Sequence, residues 1–303
     1  MGTNYTISII NQTNKRVDAQ LLQHQVDSLL IEVNNIFSHY IDSSEISSIN
    51  RHLSTRAINI SPEIAEVIGI AILIYELSGG KFDITIKPLV DIWGFGEDFN
   101  TSQLPSIELI EKTKEYVGFE KLVLKKNTLQ KLNHLIQIDL NAIAKGWGVD
   151  KVAEFLHNNG FNRYIVEIGG EIAVSGENKH NKNWEIGIPI PEYLQSELYT
   201  TIKLSNQSVA TSGSYNNYFN FEGVNYSHII DPESGYPIKH DLVSATIVTQ
   251  SCAFADAIAT TVMVMGFNEG LNWVQTLPDV ECLLIGRSED GNYTTGKSDG
   301  FNY

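Results

Sequence analysis

The sequence is poor in cysteine and in basic residues. Only Cys252 and Cys282 occur among 303 residues, which excludes a disulfide framework and a Cys-rich zinc site and leaves the redox compartment undetermined. The 21 lysines and arginines are outnumbered by 36 acidic residues, and the formal net charge is −15. Nucleic acids and anionic membranes repel such a charge at long range, so neither is predicted as the main partner. A ligand that carries phosphates would need a cation to accompany it.

Long apolar runs and the common nucleotide-binding motifs are also absent. No window approaches the ~18 apolar residues of a membrane span, and the first ten residues alternate like a strand and lack a basic leader segment. We therefore expect either a cytoplasmic protein or a mature form from which an export signal has been removed. There is no GxxxxGK[ST], HExxH or GxGxxG, and the glycines of IGGEIAVSG (168–176) have the wrong spacing for a dinucleotide fingerprint. Any nucleotide site must be built in another way.

The remaining composition is that of an ordinary globular protein, with 42% hydrophobic and 19% charged residues. Because strands predominate late in the sequence and helices early, we expect an α+β fold. It would be a single intertwined domain over residues 1–303, with a mostly antiparallel sheet and flanking helices. Periodicity predicts helices at 17–38, from Pro62 to a stop at Gly79-Gly80, and at 105–117, 144–158, 253–265 and 267–276. It predicts strands at 3–10, 121–126, 135–139, 163–168, 171–176, 184–189, 198–204, 207–211, 225–230, 243–250 and 280–286, and a loop at 41–50.

Polar side chains interrupt the apolar helix predicted at 253–265, and two of them are spaced by one helical turn. Asp256 and Thr260 are four residues apart and therefore share one helix face. A buried carboxylate without a partner is costly, so two interpretations stay open. In the first, Asp256 forms a cap or an ion pair and Thr260 bonds back to a helix carbonyl. In the second, both side chains hold a hard cation such as Mg²⁺ through their oxygen atoms. Such a cation would also meet the phosphates of an anionic ligand.

Two further segments combine glycines with charged or aromatic residues. In IDLNAIAKGWGVD (138–150), Asp139 is predicted to end a strand and Lys145 to lie near a helix start, a junction that offers free amides to an anion. In SGGKFDITIKPLVDIWGFG (78–96), Phe82 would stack on a ring and Asp83 would accept from ribose or base. The alternatives are an ordinary connection with a surface lysine in the first segment, and a loop pinned by buried Phe82 and Trp93 in the second.

A titratable ring stands before a predicted turn in HIIDPESGYP (228–237). Pro232 and Gly235 favour a β-turn. His228 is interpreted either as a residue that closes the strand predicted at 225–230 or as a functional group. An unperturbed imidazole pKa near ~6.5 suits a general base at neutral pH.

The order of these motifs resembles that of the ApbE family, the FAD:protein FMN transferases. The resemblance implies an α+β enzyme that binds FAD with Mg²⁺ and transfers the FMN moiety through a phosphoester to a threonine or serine hydroxyl of an acceptor protein, releasing AMP. The matching segments are MGT at the N-terminus, Tyr40 ahead of SSEISSIN, GGKFDITIKPL, DLNAIAKGWGVD, IGGEIAVSG, ATSGSY, HIIDPESGYP and ADAIATTVMVMG, which span Met1 to about Gly266.

The resemblance also implies a place of action. Bacterial members are exported, often as lipoproteins, and modify subunits of membrane redox complexes such as the sodium-pumping quinone reductase (Nqr) and Rnf complexes. We therefore expect a periplasmic or cell-envelope protein whose precursor carries a lipid anchor. Two alternatives stay open: a Mg²⁺-dependent FAD pyrophosphatase that yields FMN and AMP, and a non-catalytic FAD-binding protein.

Roles for individual residues follow from the resemblance. It makes His228 the base that activates the acceptor hydroxyl. It assigns the metal site to the side chains of Asp256 and Thr260 and the main-chain carbonyl of Ala142, with Ala259 standing where some members carry a second acid. The implied FAD-binding residues are Met1, Tyr40, Lys81, Phe82, Asp83, Asp139, Lys145, Gly169, Gly170, Ile229 and Ile230.

Overall fold

The computed structural model describes residues 2–11, 17–96, 103–192, 197–214, 217–288 and 290–302. Its helices are α1 (Ala19–Phe37), α2 (Glu45–Arg51), α3 (Pro62–Leu77), α4 (Lys87–Ile92), α5 (Ile107–Lys114), α6 (Asn141–Asn158), α7 (Cys252–Met265) and α8 (Phe267–Val274). Its strands are β1 (Tyr5–Ile9), β2 (Ile58–Asn59), β3 (Leu122–Lys125), β4 (Thr128–Lys131), β5 (Tyr164–Ile168), β6 (Glu171–Ser175), β7 (Trp184–Pro189), β8 (Leu198–Leu204), β9 (Gln207–Gly213), β10 (Tyr218–Phe221), β11 (Val224–Ser227), β12 (Leu242–Thr249), β13 (Glu281–Arg287) and β14 (Tyr293–Lys297).

The main sheet of the described chain has seven strands in the order β1-β5-β6-β9-β12-β13-β14, and all its neighbouring pairs are antiparallel. Three small antiparallel sheets accompany it: β2-β4-β3, the hairpin β7–β8 and the hairpin β10–β11. Antiparallel strands can be joined by short turns, which suits the closely spaced strands of the second half. The predicted α+β fold with a mostly antiparallel sheet is confirmed.

Helices cover one face of the main sheet and the β7–β8 hairpin covers the other. Helix α6 packs on β5 and β6, α7 on β9 and β12, and α8 on β13. On the opposite face, Ile186 and Ile202 of the hairpin pack against Val174, Val209 and Leu283 of the sheet. Strand β12 lies between both layers, and all but one of its residues are buried. Its sequence, LVSATIVT, is accordingly more apolar than a half-exposed strand would be.

The largest apolar cluster combines residues from both halves of the chain, from Val33 on α1 to Leu284 on β13. Helix α3 contributes its apolar face to this cluster and contacts both α6 and α7. The assignment of residues 1–303 to one domain stays a prediction. Within the described ranges, none of the helices combines the length and the apolar character needed to cross a membrane.

The segment 41–50, predicted as a loop, contains most of helix α2, so that prediction is wrong. Ser44 caps the helix by accepting the amide of Ser47 at 3.1 Å, and Ile46 and Ile49 are 0% and 3% exposed. A seven-residue helix is too short to be stable alone. The burial of two isoleucines one turn apart stabilises it, and the free energy gained from this burial outweighs the low helix propensity of the serines.

Two strand predictions also need correction. Residues 135–139 form no strand, because the neighbouring ladder is formed by β3 and β4 and the backbone of this segment bonds to a side chain instead. The strand predicted at 225–230 ends at Ser227, and Ile230 makes only an isolated bridge to Pro237. His228 therefore lies just after β11, at the base of the β10–β11 hairpin.

Candidate functional site

Helices α6 and α7 come into close contact where their polar residues meet. Gly146 of α6 faces the backbone of Cys252, and its lack of a Cβ atom permits this approach. Asp150, one turn further along α6, accepts the hydroxyl of Ser251 at 2.8 Å and the amides of Cys252 and Ala253 at 2.8 and 3.0 Å. These bonds satisfy free amides at the start of α7. The two contacts fix α7 relative to α6.

Asp256 lies in this contact, and its side chain is only 3% exposed. Its Oδ2 accepts the amide of Gly146 at 3.1 Å. In a regular α-helix that amide points at the carbonyl four residues earlier, which here belongs to Ala142. The bond ties Asp256 to the first turns of α6, which also carry Ala142, and the part of the Ala142 carbonyl in a metal site stays a prediction.

Lys145 joins Asp256 to a second buried carboxylate, that of Glu171. The Lys145 Nζ lies 2.5 Å from Glu171 Oε1 and 3.4 Å from Asp256 Oδ1. Glu171 is the first residue of β6 and follows the two-residue β5–β6 turn formed by Gly169 and Gly170. Both glycines have positive φ, +62° and +102°, as a tight type I′ hairpin requires. The two glycines of IGGEIAVSG therefore set the position of a carboxylate.

The cluster formed by Lys145, Glu171 and Asp256 is short of positive charge. Burial and the repulsion from Asp256 raise the pKa of Glu171 to about 7, although Lys145 acts to lower it. Burial alone would lower the pKa of Lys145, but Asp256 and Glu171 outweigh burial and raise it. Lys145 is therefore protonated at neutral pH, and its ammonium group faces two acidic side chains, of which Glu171 loses its proton near neutrality. When both acids are ionised, a further cation would balance the cluster.

Thr260 supplies another oxygen near this cluster, one turn beyond Asp256 on α7. Its Oγ1 lies 3.2 Å from the Ser212 hydroxyl of β9. In the part of the chain that the structure describes, no group of three or more His, Cys, Asp or Glu side chains could hold a metal. An ion would bind here through the Asp256 carboxylate, the Thr260 hydroxyl and the Ala142 carbonyl, with ligand oxygens completing its shell. An all-oxygen donor set that includes a buried carboxylate fits Mg²⁺.

The ring of His228 is oriented by the backbone of Asn217. Its Nδ1 lies 2.9 Å from the Asn217 carbonyl oxygen, which also accepts the His228 amide at 3.1 Å. A carbonyl can only accept, so Nδ1 carries the proton and Nε2 keeps a lone pair in the neutral ring. Burial lowers the pKa of His228, and Lys145 acts in the same direction, while the Asn217 bond and Asp139 oppose them. His228 is thus neutral at pH 7 and lies within electrostatic reach of Asp139 and Lys145.

Asp139 lies two residues before the start of α6 and is held in place by its neighbours. Its amide donates to the Ile84 carbonyl at 2.7 Å, and its Oδ1 accepts the Asn141 amide at 2.8 Å. The residue before it, Ile138, is bound on both backbone groups by the side chain of Asn50. Asp139 does not end a strand, contrary to the prediction, but it does occupy the predicted junction with a helix.

Lys81 connects two of the motifs that the sequence presents separately. Its Nζ lies 2.8 Å from Glu233 Oε2 and 4.0 Å from Asp231 Oδ1. Asp231 in turn accepts the amides of Glu233 and Ser234 at 3.2 and 3.3 Å, and Gly235 has a φ of +78°. The predicted turn in HIIDPESGYP is confirmed, and it packs beside the GGKFD segment.

Phe82 and Asp83 point into the protein. Phe82 is 4% exposed and belongs to the largest apolar cluster, and Trp93 is 3% exposed, as the alternative of a pinned loop predicts. Asp83 accepts the amide and hydroxyl of Thr85 at 2.7 and 2.6 Å and the amide of Phe119 at 3.0 Å. Burial raises the pKa of Asp83, although these bonds oppose the shift. Both side chains shape the loop, and their part in FAD binding stays a prediction.

The remaining predicted FAD-binding residues lie in different surroundings. Tyr40 is 68% exposed, and its ring centroid is 4.6 Å from that of His39. Ile229 and Ile230 are 7% and 4% exposed and pack into two different apolar clusters. Met1 lies outside the described residues. Tyr40 is therefore free to stack on a ligand ring, whereas the two isoleucines offer little free surface.

Four residues near the site were not identified from the sequence. Glu171 and Asp150 are acids within recognised motifs. Glu171 directly follows a glycine pair and Asp150 lies one turn after Gly146, and these positions are signals that could have identified them. Asn50 and Ser212 carry no local signal, because their partners are 88 and 48 residues away. Only the fold brings them to the site.

The fold and the site define an α+β protein in which a lysine is held between two buried acidic side chains, within electrostatic reach of a neutral histidine. The ApbE family model matches residues 1–284. A relative from Vibrio cholerae described as FAD:protein FMN transferase is 40% identical over 291 residues, which are 96% of this chain and 86% of the relative. A Haemophilus influenzae relative with the same description is 34% identical over 304 residues, covering 98% of this chain and 88% of the relative.

Solved structures agree with the sequence comparison. The flavin transferase ApbE from Vibrio cholerae superposes with a TM-score of 0.90 at 38% identity, covering 99% of this chain and 95% of that one. The apo form of the Pseudomonas stutzeri flavinyl transferase ApbE superposes with a TM-score of 0.87 at 28% identity, covering 97% and 91%. The chain belongs to the ApbE family.

Proposed function

We propose that this protein transfers the FMN moiety of FAD to a threonine or serine hydroxyl of an acceptor protein, with Mg²⁺ as cofactor and AMP as the second product. Flavin transfer is the activity named for the relatives and for the solved structures. The observation that carries the proposal is the orientation of His228. Its Nδ1 is bound to the Asn217 carbonyl, so the unprotonated Nε2 is available as a base near Asp139 and Lys145.

The chemistry is an in-line phosphoryl substitution. His228 Nε2 takes the proton of the acceptor hydroxyl while the hydroxyl oxygen attacks the phosphorus of the FMN half of FAD. The new O–P bond forms as the bond from that phosphorus to the bridging oxygen breaks, and AMP leaves with this oxygen. Lys145 stabilises the negative charge on the phosphates. Asp256, Thr260 and the Ala142 carbonyl would hold Mg²⁺, which would supply positive charge against the pyrophosphate.

The flavin and nucleotide contacts are proposed for the residues around this centre. Tyr40 presents an exposed ring for stacking, and Asp139 presents a partly exposed carboxylate at the N-terminus of α6. Lys81 and the Gly169–Gly170 turn would complete the pocket. Met1, Phe82, Asp83, Ile229 and Ile230 are retained in the proposal on the family resemblance.

The partner and the place of action are proposed on the same resemblance. The acceptor would be a flavoprotein subunit of a membrane redox complex of the Nqr or Rnf type, and the protein would act in the periplasm or at the cell envelope. Fractionation of cells that express the native gene, with immunodetection of the protein, tests the location. Recovery in the cytoplasmic fraction alone would contradict it.

Mass spectrometry of a candidate acceptor tests the activity. The acceptor is incubated with the protein, FAD and Mg²⁺, and a mass gain equal to FMN on one threonine or serine is the expected result. Free FMN and AMP with an unmodified acceptor would instead identify a pyrophosphatase, and unchanged FAD retained by the protein would identify a flavin-binding protein.

The His228→Ala variant tests the role of the base. Transfer should fall by about two to four orders of magnitude, which is the usual contribution of a general base, while FAD still binds. His180→Ala is the matched control, because His180 is exposed on the loop between β6 and β7. Transfer by His228→Ala at the wild-type rate would show that another group accepts the proton.

A further inference from the structure

Lys145 does not sit midway between its two carboxylates. Its Nζ lies 2.5 Å from Glu171 Oε1, whereas its distances to Asp256 Oδ1 and Oδ2 are 3.4 and 3.5 Å. The first contact is a short charge-assisted hydrogen bond, and the other two are at the outer limit of hydrogen bonding. The ammonium group is therefore drawn towards Glu171 and away from the metal-binding carboxylate.

Asp256 has little freedom to follow the ammonium group. Its Oδ2 is held by the Gly146 amide at 3.1 Å, within the fixed contact between α6 and α7. Oδ1 is consequently the atom for which Lys145 and an incoming cation would compete. A lysine that moved about half an ångström towards Oδ1 would form a full ion pair there, since such bonds are ~2.7–2.9 Å long.

Glu171 lies on the other side of Lys145, and burial confines its side chain. It begins β6, directly after the Gly169–Gly170 turn, and its side chain is 4% exposed. Its Oε2 is buried and has no hydrogen-bond partner among the described residues. A buried carboxylate with one unsatisfied oxygen costs stability, so packing alone does not account for an acid at this position.

We propose that Glu171 is a positioning residue that holds the Lys145 ammonium group away from Asp256 and so keeps Asp256 Oδ1 available to the divalent cation. This inference depends on the proposed function, because that function supplies the cation. It gives Glu171 a role distinct from those of the metal ligands, Asp256, Thr260 and Ala142, and from that of the base, His228. The IGGE segment then acts through Lys145 and does not touch the metal.

Removing the charge of Glu171 should release the lysine. In Glu171→Gln the side chain keeps its size but loses the attraction of a carboxylate, so Lys145 should move to Asp256 and compete with the cation. We expect Mn²⁺, used as a spectroscopic probe of the site, to bind about tenfold more weakly, the equivalent of one charge-assisted hydrogen bond. Mn²⁺ binding is measured on the protein alone by electron paramagnetic resonance of the free ion, without FAD or acceptor.

A double variant separates this role from a structural one. In Glu171→Gln/Lys145→Met the competing ammonium group is absent, so Mn²⁺ affinity should return to at least the wild-type value. A defect caused by disturbed packing of β6 would persist or deepen in the double variant. Glu185→Gln, at an exposed position on β7, is the control for the loss of one negative charge and should bind Mn²⁺ as the wild type does. Thermal unfolding by circular dichroism verifies that each variant is folded.

Two results would overturn the inference: wild-type Mn²⁺ affinity in Glu171→Gln, or weak binding that the Lys145→Met change does not restore. Its failure can be told apart from that of the proposed function. If the wild-type protein binds Mn²⁺ but adds no FMN to any acceptor, the proposed transfer is wrong, while the comparison of Mn²⁺ affinities still decides the role of Glu171.

Discussion

The side chain of Asn50 pairs with the backbone of Ile138 in the way that a neighbouring strand would. Its Nδ2 donates to the Ile138 carbonyl at 2.9 Å, and its Oδ1 accepts the Ile138 amide at 2.7 Å. One residue of α2 thereby satisfies both backbone groups of a buried segment that has no strand beside it. Since Asp139 comes next, this pairing also fixes the position of a predicted FAD ligand.

Replacing Asn50 should affect both stability and ligand binding. Asn50→Ala leaves two buried backbone groups of Ile138 without partners, which should lower the free energy of unfolding by on the order of 2–3 kcal/mol. It should also weaken FAD binding, because Asp139 loses its support. Urea denaturation and FAD fluorescence titration measure the two effects. Asn302→Ala is the control: it removes an exposed amide that donates to the Gly300 carbonyl, and it should change neither the free energy of unfolding nor that of FAD binding by more than about 0.5 kcal/mol.

The contact between α6 and α7 makes a second prediction. A Cβ atom on Gly146 would lie 2.3 Å from the Cys252 carbonyl oxygen, so Gly146→Ala must push the helices apart and lengthen the bond from the Gly146 amide to Asp256. We expect a loss of about 1–3 kcal/mol in unfolding free energy and weaker Mn²⁺ binding.

Gly69→Ala provides the control for this change. Gly69 is exposed within α3, and a Cβ atom there would meet nothing within 4 Å. Alanine should therefore stabilise the helix by up to about 1 kcal/mol. Equal unfolding free energies for the two glycine variants would contradict the proposed close contact.

The pH dependence of transfer follows from the lowered pKa of His228. Burial favours the neutral ring, so the base form is present at pH 7 and is lost only as the pH falls through a value below ~6.5. We expect kcat/KM for the acceptor to be flat near neutrality and to decrease on the acid side, with a midpoint below ~6.5. FAD affinity, measured over the same range, distinguishes loss of the base from loss of substrate. An acid limb centred above ~6.5 would contradict the assignment.

Lys131 makes a prediction about stability at alkaline pH. It is 2% exposed and donates to the carbonyls of Ile49, Asn50 and Ile136, and burial lowers its pKa to about 8. Between that value and the ordinary lysine pKa of ~10.4, the unfolded chain binds more protons than the folded one, so this residue makes stability rise with pH across the window.

The comparison with Lys131→Met isolates that contribution. The unfolding free energy of the wild type, relative to the variant, should increase from about pH 8 to about pH 10. Denaturation curves at both pH values measure the difference. A difference that is constant or that decreases would show that Lys131 keeps its proton in the folded protein.

The regular elements with strong periodicity could be predicted from the sequence. The 17–38 pattern gave α1, Ser61-Pro62 gave the start of α3, and the apolar run from residue 253 gave α7 within one residue. Helix α2 and the irregular conformation of residues 135–139 could not be predicted. Both owe their conformation to partners distant in sequence, which local propensity does not report.

The order of the motifs predicted which segments contribute to the candidate site, and the roles of the residues in it stay a prediction. Asp256 and Thr260 share a helix face as their spacing requires, and the turn after His228 forms as Pro232 and Gly235 require. The sequence did not show that Asp256 bonds to the Gly146 amide, that Lys145 lies against Glu171, or that the Asn217 carbonyl selects the tautomer of His228. Each of these relationships joins separate elements.

The sequence by itself determined the acidic character of the protein, its α+β pattern and its family. It did so because composition, periodicity and motif order are local properties of the chain. Only the tertiary structure decided which charges are paired and which histidine nitrogen is free. Those properties depend on burial and on distances of 2.5–3.5 Å between residues up to 111 positions apart, which are fixed only when the helices and the sheet pack together.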